Sequence, residues 1–289
     1  MTRRLAGAPI SWGVCEVPGW GHQMSVERVL TEMAALGLAA TEFGPDGFLP
    51  LDGAARAEEL RRHGLTAVGG FLPVVLHDPA LDPAPEFAAA LRDFRSADAT
   101  VIVLAAATGS AGYESRPQLD AAGWQTLLAN VSRLDRMAAD AGITATVHPH
   151  VGTMIEGPGE IDRLLDGSEI GLCLDTGHVM AGGGDPLAVA ERAAARVKHV
   201  HLKDVDATRA EQVRAGAVSY RDAVADGMYR PFGRGDVDIA RIVAALDGAG
   251  YTGWYVLEQD LVLDGEPPQG AGPCVEVAAC LQYLAGLPS

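Results

Sequence analysis

The chain has 289 residues, of which 48% are hydrophobic and 21% charged, a composition too apolar for a disordered chain and large enough for a substantial core. Its formal net charge of −16 disfavours phosphate backbones and anionic lipids, so we expect neither nucleic acid nor membrane as a partner. No apolar stretch approaches the roughly 18 to 20 residues of a membrane span, and the four cysteines show neither CxxC spacing nor a disulfide framework, so we expect a cytoplasmic protein.

Short apolar runs alternate along the chain with longer amphipathic runs. The predicted strands are 5–13, 39–44, 65–74, 100–108, 143–150, 170–178, 197–204 and 254–260. The predicted helices are 25–37, 53–64, 85–98, 123–142, 159–167, 185–196 and 238–250. Several of these helices close on a glycine, and Ser25 precedes the first helix as a plain N-cap.

Eight strands that alternate with helices, and whose apolar runs are continuous, are typical of a parallel sheet covered by helices. In a chain of this length they predict an α/β fold, a (β/α)₈ TIM barrel, formed by a single domain over residues 1–289. No GxGxxG motif follows the first strand, which argues against a dinucleotide-binding fold. The connection at about 205–238, after the seventh strand, is unusually long, and we expect it to cover the catalytic mouth as a partial lid.

Metal-competent side chains recur where the predicted strands end, which is where TIM barrels carry their functional residues. They are Glu42 on the second strand, His148 and His150 on the fifth, Asp175 and His178 on the sixth, His199, His201, Lys203 and Asp204 on the seventh, and Glu258 and Asp260 on the eighth. A lone histidine or aspartate is more often a core residue or a cap. Such groups at four successive strand ends favour a metal site instead.

Side-chain alternation narrows the choice of ligands. His201 and Lys203 share the face nearest the exit of the seventh strand, and His199 lies deeper as a core histidine. Glu258 is still on the eighth strand and is therefore a better ligand than Asp260. One Asp, one Glu and one or two imidazoles form a mixed oxygen and nitrogen set that suits Mn²⁺, Co²⁺, Fe²⁺ or Zn²⁺.

The motifs "LDTGH", "HVHLKD" and "EQD" on consecutive strands resemble the xylose-isomerase-like TIM-barrel superfamily of sugar isomerases, epimerases and lyases. Within it, "HPHVGTMIEGPGEIDRLL" and "YRDAVADGMYRPFGRGDVD" resemble the myo-inosose (2-keto-myo-inositol) dehydratase family, over essentially the whole chain. The resemblance implies one divalent ion, foremost Mn²⁺ or Co²⁺, held by Asp175, His201, Glu258 and a group from the fifth strand. His148 is the candidate there, and whether it binds the ion directly stays open.

The resemblance also implies that a proton is removed next to a carbonyl, giving an enediolate. Loss of a β-hydroxyl then makes a dehydratase, and reprotonation makes an isomerase or epimerase. Candidate acids and bases are His150 and His178, since imidazoles near neutral pKa suit both roles, with Lys203 as electrostatic helper. Glu156 could also reach the mouth, although a loop or helix-capping role is equally compatible with its position.

Substrate contacts are expected from Glu42 and His178 to hydroxyl groups and from aromatic rings near the mouth. The rings considered are Trp12, Trp20, Phe48, Tyr229 and Phe232, with Trp12 favoured as a pocket wall, whereas Trp124 and Trp254 look structural. Two loops, "SWGVCEVPGWG" and "GPDGFLP", depart from the polar turns of the dehydratases. The sequence therefore indicates the type of reaction more clearly than it indicates which polyol is the substrate.

Four functions fit these features to different degrees. The first is a metal-dependent lyase that dehydrates a keto-cyclitol, and the second is an isomerase or epimerase of a keto-sugar or inosose. A DNA-repair endonuclease shares the fold but is disfavoured by the acidic surface and the single ligand set, and a non-catalytic sugar-binding barrel is disfavoured by the intact ligands. The expected partner is a small polyol or keto-sugar, and a homo-oligomer is suggested by analogy alone.

Overall fold

The structure is a computed structural model that describes residues 3–110, 112–113 and 115–288. Its strands are β1 Arg4–Gly7, β2 Ala40–Thr41, β3 Thr66–Ala67, β4 Gly69–Val74, β5 Val101–Ala106, β6 Thr144–Val147, β7 Gly171–Asp175, β8 Val197–Leu202, β9 Asp204–Val205, β10 Tyr229–Arg230 and β11 Trp254–Leu257. Its α-helices are α1 Val26–Ala35, α2 Gly53–Arg62, α3 Ala84–Ser96, α4 Ala121–Ala141, α5 Pro158–Gly167, α6 Thr176–Ala181, α7 Pro186–Ala193, α8 Ala207–Arg214, α9 Tyr220–Ala225, α10 Ile239–Gly248 and α11 Pro273–Ala285. Among the described residues, none of the helices has the length and apolar character needed to cross a membrane.

The parallel strands form a closed ring. β1 pairs with both β2 and β11, so the first and last strands of the barrel are neighbours. β3 pairs with β2, while β4 pairs with β5, and only Val68 separates these two segments. They therefore act as one barrel strand, and the ring has eight positions, which confirms the predicted (β/α)₈ barrel.

The two faces of the barrel wall differ in what they pack against. Val101 and Val103 cluster with Cys173 in one small group, whereas Ile102 and Leu104 belong to the large core that includes the surrounding helices. Because neighbours in a strand point to opposite faces, the small groups lie inside the barrel. Compact side chains fill this interior. The polar residues at the strand ends belong to the same ring of parallel strands.

The ends of the helices follow local chain chemistry. Gly37, Gly64, Gly142 and Gly250 end helices with φ between 73° and 82°, a conformation that glycine adopts without a Cβ penalty. Ser25 stands at the N-cap of α1 in extended conformation, but its side chain makes no capping hydrogen bond. Helices occur at the predicted positions, and these four helices end at the predicted glycines.

Four of the described helices were not predicted. α6 replaces the end of the predicted strand 170–178, α8 and α9 lie within the 205–238 connection, and α11 follows the last strand. The sequence of α8 has almost no amphipathic pattern, and Ala210 is its single buried residue. A helix without that pattern is hard to predict from sequence. The 205–238 connection therefore has secondary structure of its own, and its strand β10 pairs antiparallel with β9.

Candidate active site

A cavity of about 220 Å³ opens at the carboxyl ends of the barrel strands. Its polar lining consists of Cys15, Glu16, Glu42, Asp46, Tyr113, His148, His150, His201, Lys203, Tyr220, Glu258 and Asp260. Its apolar lining comes mainly from residues after β1 and β2 and from β4: Pro9, Ile10, Val14, Trp20, Pro45, Phe71, Leu72 and Pro73. Four of the five strand ends that the sequence singled out therefore line this cavity, and Asp175, from the remaining one, is fully buried beside His201.

Asp175 is fixed by the turn from strand to helix. It ends β7 and caps α6, where its Oδ1 accepts the backbone N–H of His178 at 2.7 Å. This leaves Oδ2, which lies 3.5 Å from His201 Nδ1. Glu258 Oε2 lies 2.6 Å from the same Nδ1, and all three ligand atoms are within 4.8 Å of one another.

The donor atoms of this trio fit a metal ion. His201 Nε2 donates to Glu42 Oε1 at 2.9 Å, so in the neutral ring Nδ1 is bare. Nδ1 and Glu258 Oε2 are both buried 2.6 Å apart, and among the described residues neither has a hydrogen-bond partner of acceptable direction. Burial disfavours the charged ring, but the carboxylates of Glu258 and Glu42 hold the pKa of His201 well above its ordinary value, so a cation bound at Nδ1 would take the place of a proton.

His148 lies beside this trio. Its Nε2 is 3.1 Å from Asp175 Oδ2, its Nδ1 is buried without a partner, and the side chain is 2% exposed. Burial holds the pKa of His148 below its ordinary value, although Asp175 acts in the opposite direction. A neutral imidazole is the form that binds metals, but direct ligation by His148 stays a prediction.

Lys203 is a buried cation among carboxylates. Its Nζ lies 2.6 Å from Asp260 Oδ1, 3.4 Å from Asp175 Oδ2 and 3.6 Å from Glu258 Oε1. Burial disfavours the ammonium, but the three carboxylates outweigh it and hold the pKa of Lys203 well above its ordinary value. Lys203 is therefore a fixed positive charge and a poor proton shuttle.

His150 lines the cavity, and a neighbouring group determines which of its ring nitrogens carries a hydrogen. Its Nδ1 lies 2.7 Å from the carbonyl oxygen of Val151, which can only accept, so Nδ1 carries the hydrogen. Burial, and then the charges of His148 and Lys203, hold the pKa of His150 well below its ordinary value. The ring is neutral, and Nε2 is its proton acceptor.

His178 is not among the described residues that line the cavity but lies behind it, and its contact with substrate stays a prediction. It is fully buried, its ring centroid is 3.8 Å from that of His150, and its Nε2 is 3.1 Å from Lys203 Nζ. The strand ends at Asp175, so His178 turns with α6 instead of continuing the strand alternation. It supports His150 and Lys203 from behind.

Glu156 organises the loop after β6 and is not among the described residues that line the cavity. Its Oε2 accepts the backbone N–H of Gly152 at 2.8 Å and lies 3.2 Å from Arg116 Nε. These contacts favour the loop role, and a catalytic role for Glu156 stays a prediction.

Trp12 and Phe232 are not among the described residues that line this cavity, and their contacts with substrate stay predictions. Trp12 falls in a 3₁₀ turn at Pro9–Trp12, is fully buried and donates its indole N–H to Glu32 at 2.8 Å. Phe232 is buried against Tyr283, with ring centroids 6.2 Å apart. Of the five aromatic residues considered for the mouth, Trp20 lines it.

Tyr220 is a site residue that the sequence reasoning missed. It begins α9 within the 205–238 connection, lines the cavity and donates to Asp260 Oδ2 at 2.7 Å. The connection therefore reaches over the mouth, as expected of a partial lid. The local signal was Ser219, which caps α9 and fixes the position of the following tyrosine.

Asp204 holds the rest of this connection in place. It is fully buried, and its two oxygens accept backbone N–H groups from Val205, Gly233, Gly235 and Val237 at 2.8 to 3.0 Å. A Cβ on Gly235 would lie 2.4 Å from Asp204 Oδ1, so only glycine fits there. The strand-end carboxylate of Asp204 is thus structural.

Comparisons with known proteins find similar sequences over most of the chain. A family model described as xylose isomerase-like TIM barrel matches residues 30–272. The inosose dehydratase of Geobacillus thermodenitrificans (strain NG80-2) is 30% identical over 292 residues, which are 97% of this chain and 96% of that protein. The rhizopine catabolism protein MocC of Rhizobium meliloti is 34% identical over 272 residues, which are 90% of this chain and 82% of that protein.

Solved structures share the fold at lower identity. One described as the IOLI protein with a binding zinc atom has a TM-score of 0.68 at 12% identity, covering 98% of this chain and 96% of its own. An L-ribulose 3-epimerase has a TM-score of 0.69 at 14% identity, covering 98% of this chain and 94% of its own. Sequence and structural comparison thus lead to the same barrel.

Proposed function

Because this chain belongs to the xylose isomerase-like TIM barrel family, as its motifs predicted, we propose that it is a metal-dependent hydro-lyase that removes water from a keto-cyclitol such as 2-keto-myo-inositol. The observation that carries the proposal is the convergence of ligand atoms from Asp175, His201 and Glu258 beside the cavity. Among the described residues, His201 Nδ1 and Glu258 Oε2 have no hydrogen-bond partner. The names of the curated relatives support the substrate class. The zinc atom of one structural neighbour supports a transition ion, whose identity we leave among Mn²⁺, Co²⁺, Fe²⁺ and Zn²⁺.

The residues that would hold the ion are Asp175, His201 and Glu258, with His148 beside them. A divalent ion held there would polarise the substrate carbonyl and stabilise negative charge on its oxygen. The substrate ring would occupy the cavity between these residues and the apolar lining of β4.

His150 is the proposed base. Its Nε2 accepts the proton from the carbon next to the carbonyl, and the electrons of that C–H bond form an enediolate. The Lys203 ammonium donates hydrogen bonds to the oxygen that becomes negative and, because its pKa is raised, keeps its proton. As the carbonyl reforms, the β C–O bond breaks, and the proton on His150 leaves with the hydroxyl as water. No oxidant or reductant is consumed.

The test is to incubate zinc- or manganese-loaded protein with 2-keto-myo-inositol in deuterated buffer. A dehydratase produces an enolised dione that absorbs in the ultraviolet, whereas the Asp175→Asn variant should produce none. Recovered substrate that contains deuterium, without the dione, would instead establish the isomerase or epimerase alternative. Neither product nor exchange would refute both.

A further inference from the structure

We propose that Glu42 is a positioning residue that fixes the tautomer and ring orientation of His201, and that it acts on the metal site from behind. This inference rests on the proposed function, since it concerns a ligand of the proposed ion. It replaces direct contact with substrate hydroxyls as the main role of Glu42.

The hydrogen bonds of Glu42 carry the inference. Glu42 follows β2 and reaches across the barrel to β8, where its Oε1 accepts from His201 Nε2 at 2.9 Å and from His199 Nε2 at 2.7 Å. Glu42 is 4% exposed, and His199 is fully buried beneath it. One carboxylate oxygen therefore receives two N–H groups in a site that excludes bulk water.

This arrangement determines which nitrogen of His201 faces the cavity. Because the Glu42 carboxylate can only accept, Nε2 keeps its hydrogen, and Nδ1, which faces Asp175 Oδ2 and Glu258 Oε2, is the nitrogen left to bind a cation. A carboxylate behind a metal-binding imidazole also raises the basicity of the bound nitrogen. His199 adds the second hydrogen bond that keeps Glu42 from rotating away.

A second cation among Glu42, His199 and His201 is the competing interpretation, since their donor atoms also lie within 4.8 Å of one another. Such a cation requires both Nε2 atoms to lose their hydrogens. His201 could then also bind the ion beside Asp175 and Glu258 only if neither of its ring nitrogens carried a hydrogen. The two short contacts to a single oxygen fit hydrogen bonds and leave one cation site.

Contact between Glu42 and substrate is also limited by these bonds. Both lone pairs of Oε1 are engaged, so only Oε2 remains for a ligand in the cavity. A polyol hydroxyl therefore meets at most half of this carboxylate.

The experiment compares zinc binding by wild type, Glu42→Leu and Glu42→Gln, measured by calorimetric titration of metal-free protein. We expect Glu42→Leu to weaken zinc binding by about 10- to 100-fold, as loss of an outer partner of a metal ligand does. Glu42→Gln keeps an oxygen that accepts both N–H groups and should recover most of the affinity. Glu58→Leu, which removes an exposed carboxylate on α2 away from the cavity, is the matched control and should leave zinc affinity unchanged.

A nitrogen-15 NMR spectrum of the zinc-loaded wild type supplies a readout that a merely structural role would not give. We expect His201, assigned with His201→Asn, to show zinc on Nδ1 and a hydrogen-bonded proton on Nε2. Zinc on Nε2, or zinc affinity in a folded Glu42→Leu variant equal to wild type, would overturn the role of Glu42. Failure of the wild type itself to bind zinc or manganese would refute the proposed function, and the titration separates these results.

Discussion

Lys203 shows how strongly a single residue is tied to this site. The sequence contains only two lysines, because nearly all of its cationic side chains are arginine. Lys198 is exposed and donates to the carbonyl of Ala195, whereas Lys203 is 2% exposed and touches three carboxylates. A compact ammonium suits a narrow space where a guanidinium would not fit.

Replacing Lys203 with methionine should therefore lower the free energy of unfolding of the metal-free protein by about 3–5 kcal/mol, because buried carboxylates lose their counter-charge. Urea unfolding measures this loss. Lys198→Met is the matched control and should stay within about 0.5 kcal/mol of wild type. Equal stability of the two variants would show that Asp175, Asp260 and Glu258 are not held by Lys203.

His150 is the residue whose role depends most on which nitrogen carries hydrogen. Since Nδ1 is committed to the carbonyl of Val151, Nε2 is the acceptor that faces the reaction. His150→Gln should lower kcat by about 10²–10⁴-fold, the range of general-base loss, while zinc affinity stays at the wild-type value. Loss of zinc together with activity would make His150 a ligand or a structural support instead of a base.

At the scale of elements, the junction between β7 and α6 shapes the site. Thr176 Oγ1 donates to the carbonyl of Lys203 at 2.7 Å and accepts its N–H at 2.8 Å, which ties α6 to the end of β8. A Cβ on the next residue, Gly177, would lie 2.5 Å from Lys203 Cβ and 2.8 Å from Tyr229 Cε1. Gly177 therefore makes the space in which Lys203 lies.

Gly177→Ala should cost about 1–3 kcal/mol of stability through overpacking and should lower kcat by displacing the Lys203 side chain. Gly159→Ala, in the first turn of α5, meets nothing within 4 Å and should be neutral or slightly stabilising. Thermal unfolding and steady-state rates of the two variants test this. A Gly177→Ala protein as stable and active as Gly159→Ala would show that Lys203 does not need this space.

The same junction shows how far sequence reasoning reaches. Asp175, His201, Lys203 and Glu258 were predicted to meet because each ends a parallel strand, and strand ends share one edge of a barrel. His178 was misplaced because the alternation stops where α6 begins, one residue after Asp175. Periodicity locates a side chain only while the element that carries it continues.

Residues outside regular elements were the least predictable. Trp12 was expected in the pocket because it follows β1, but the 3₁₀ turn rotates it into the core. Tyr220 was missed because its position depends on how the 205–238 connection folds back, and that depends on distant contacts such as the bonds to Asp204. No local pattern in the sequence encodes those contacts.

At the scale of the whole molecule, the barrel joins its two ends. β1 pairs with β11 over four residues, from Arg4 with Trp254 to Gly7 with Leu257. We therefore propose that the chain is one domain and expect a single unfolding transition. Far-ultraviolet circular dichroism and tryptophan fluorescence should give coincident urea curves, and two separate transitions would indicate two folding units.

The net charge of −16 makes the whole molecule sensitive to cations, so a specific ion must be separated from general screening. Zinc or manganese at about one hundred times its dissociation constant should raise the free energy of unfolding by about 2.7 kcal/mol, because the ion binds only the folded chain. Binding should saturate at one ion per chain, the stabilisation should grow by about 1.4 kcal/mol for each further tenfold rise in free ion, and a chelator should abolish it. Sodium chloride at equal ionic strength should not reproduce it, and neither should zinc added to Asp175→Asn. Stabilisation that sodium chloride reproduces, or that survives in this variant, would assign the effect to the acidic surface and remove the thermodynamic support for a metal centre.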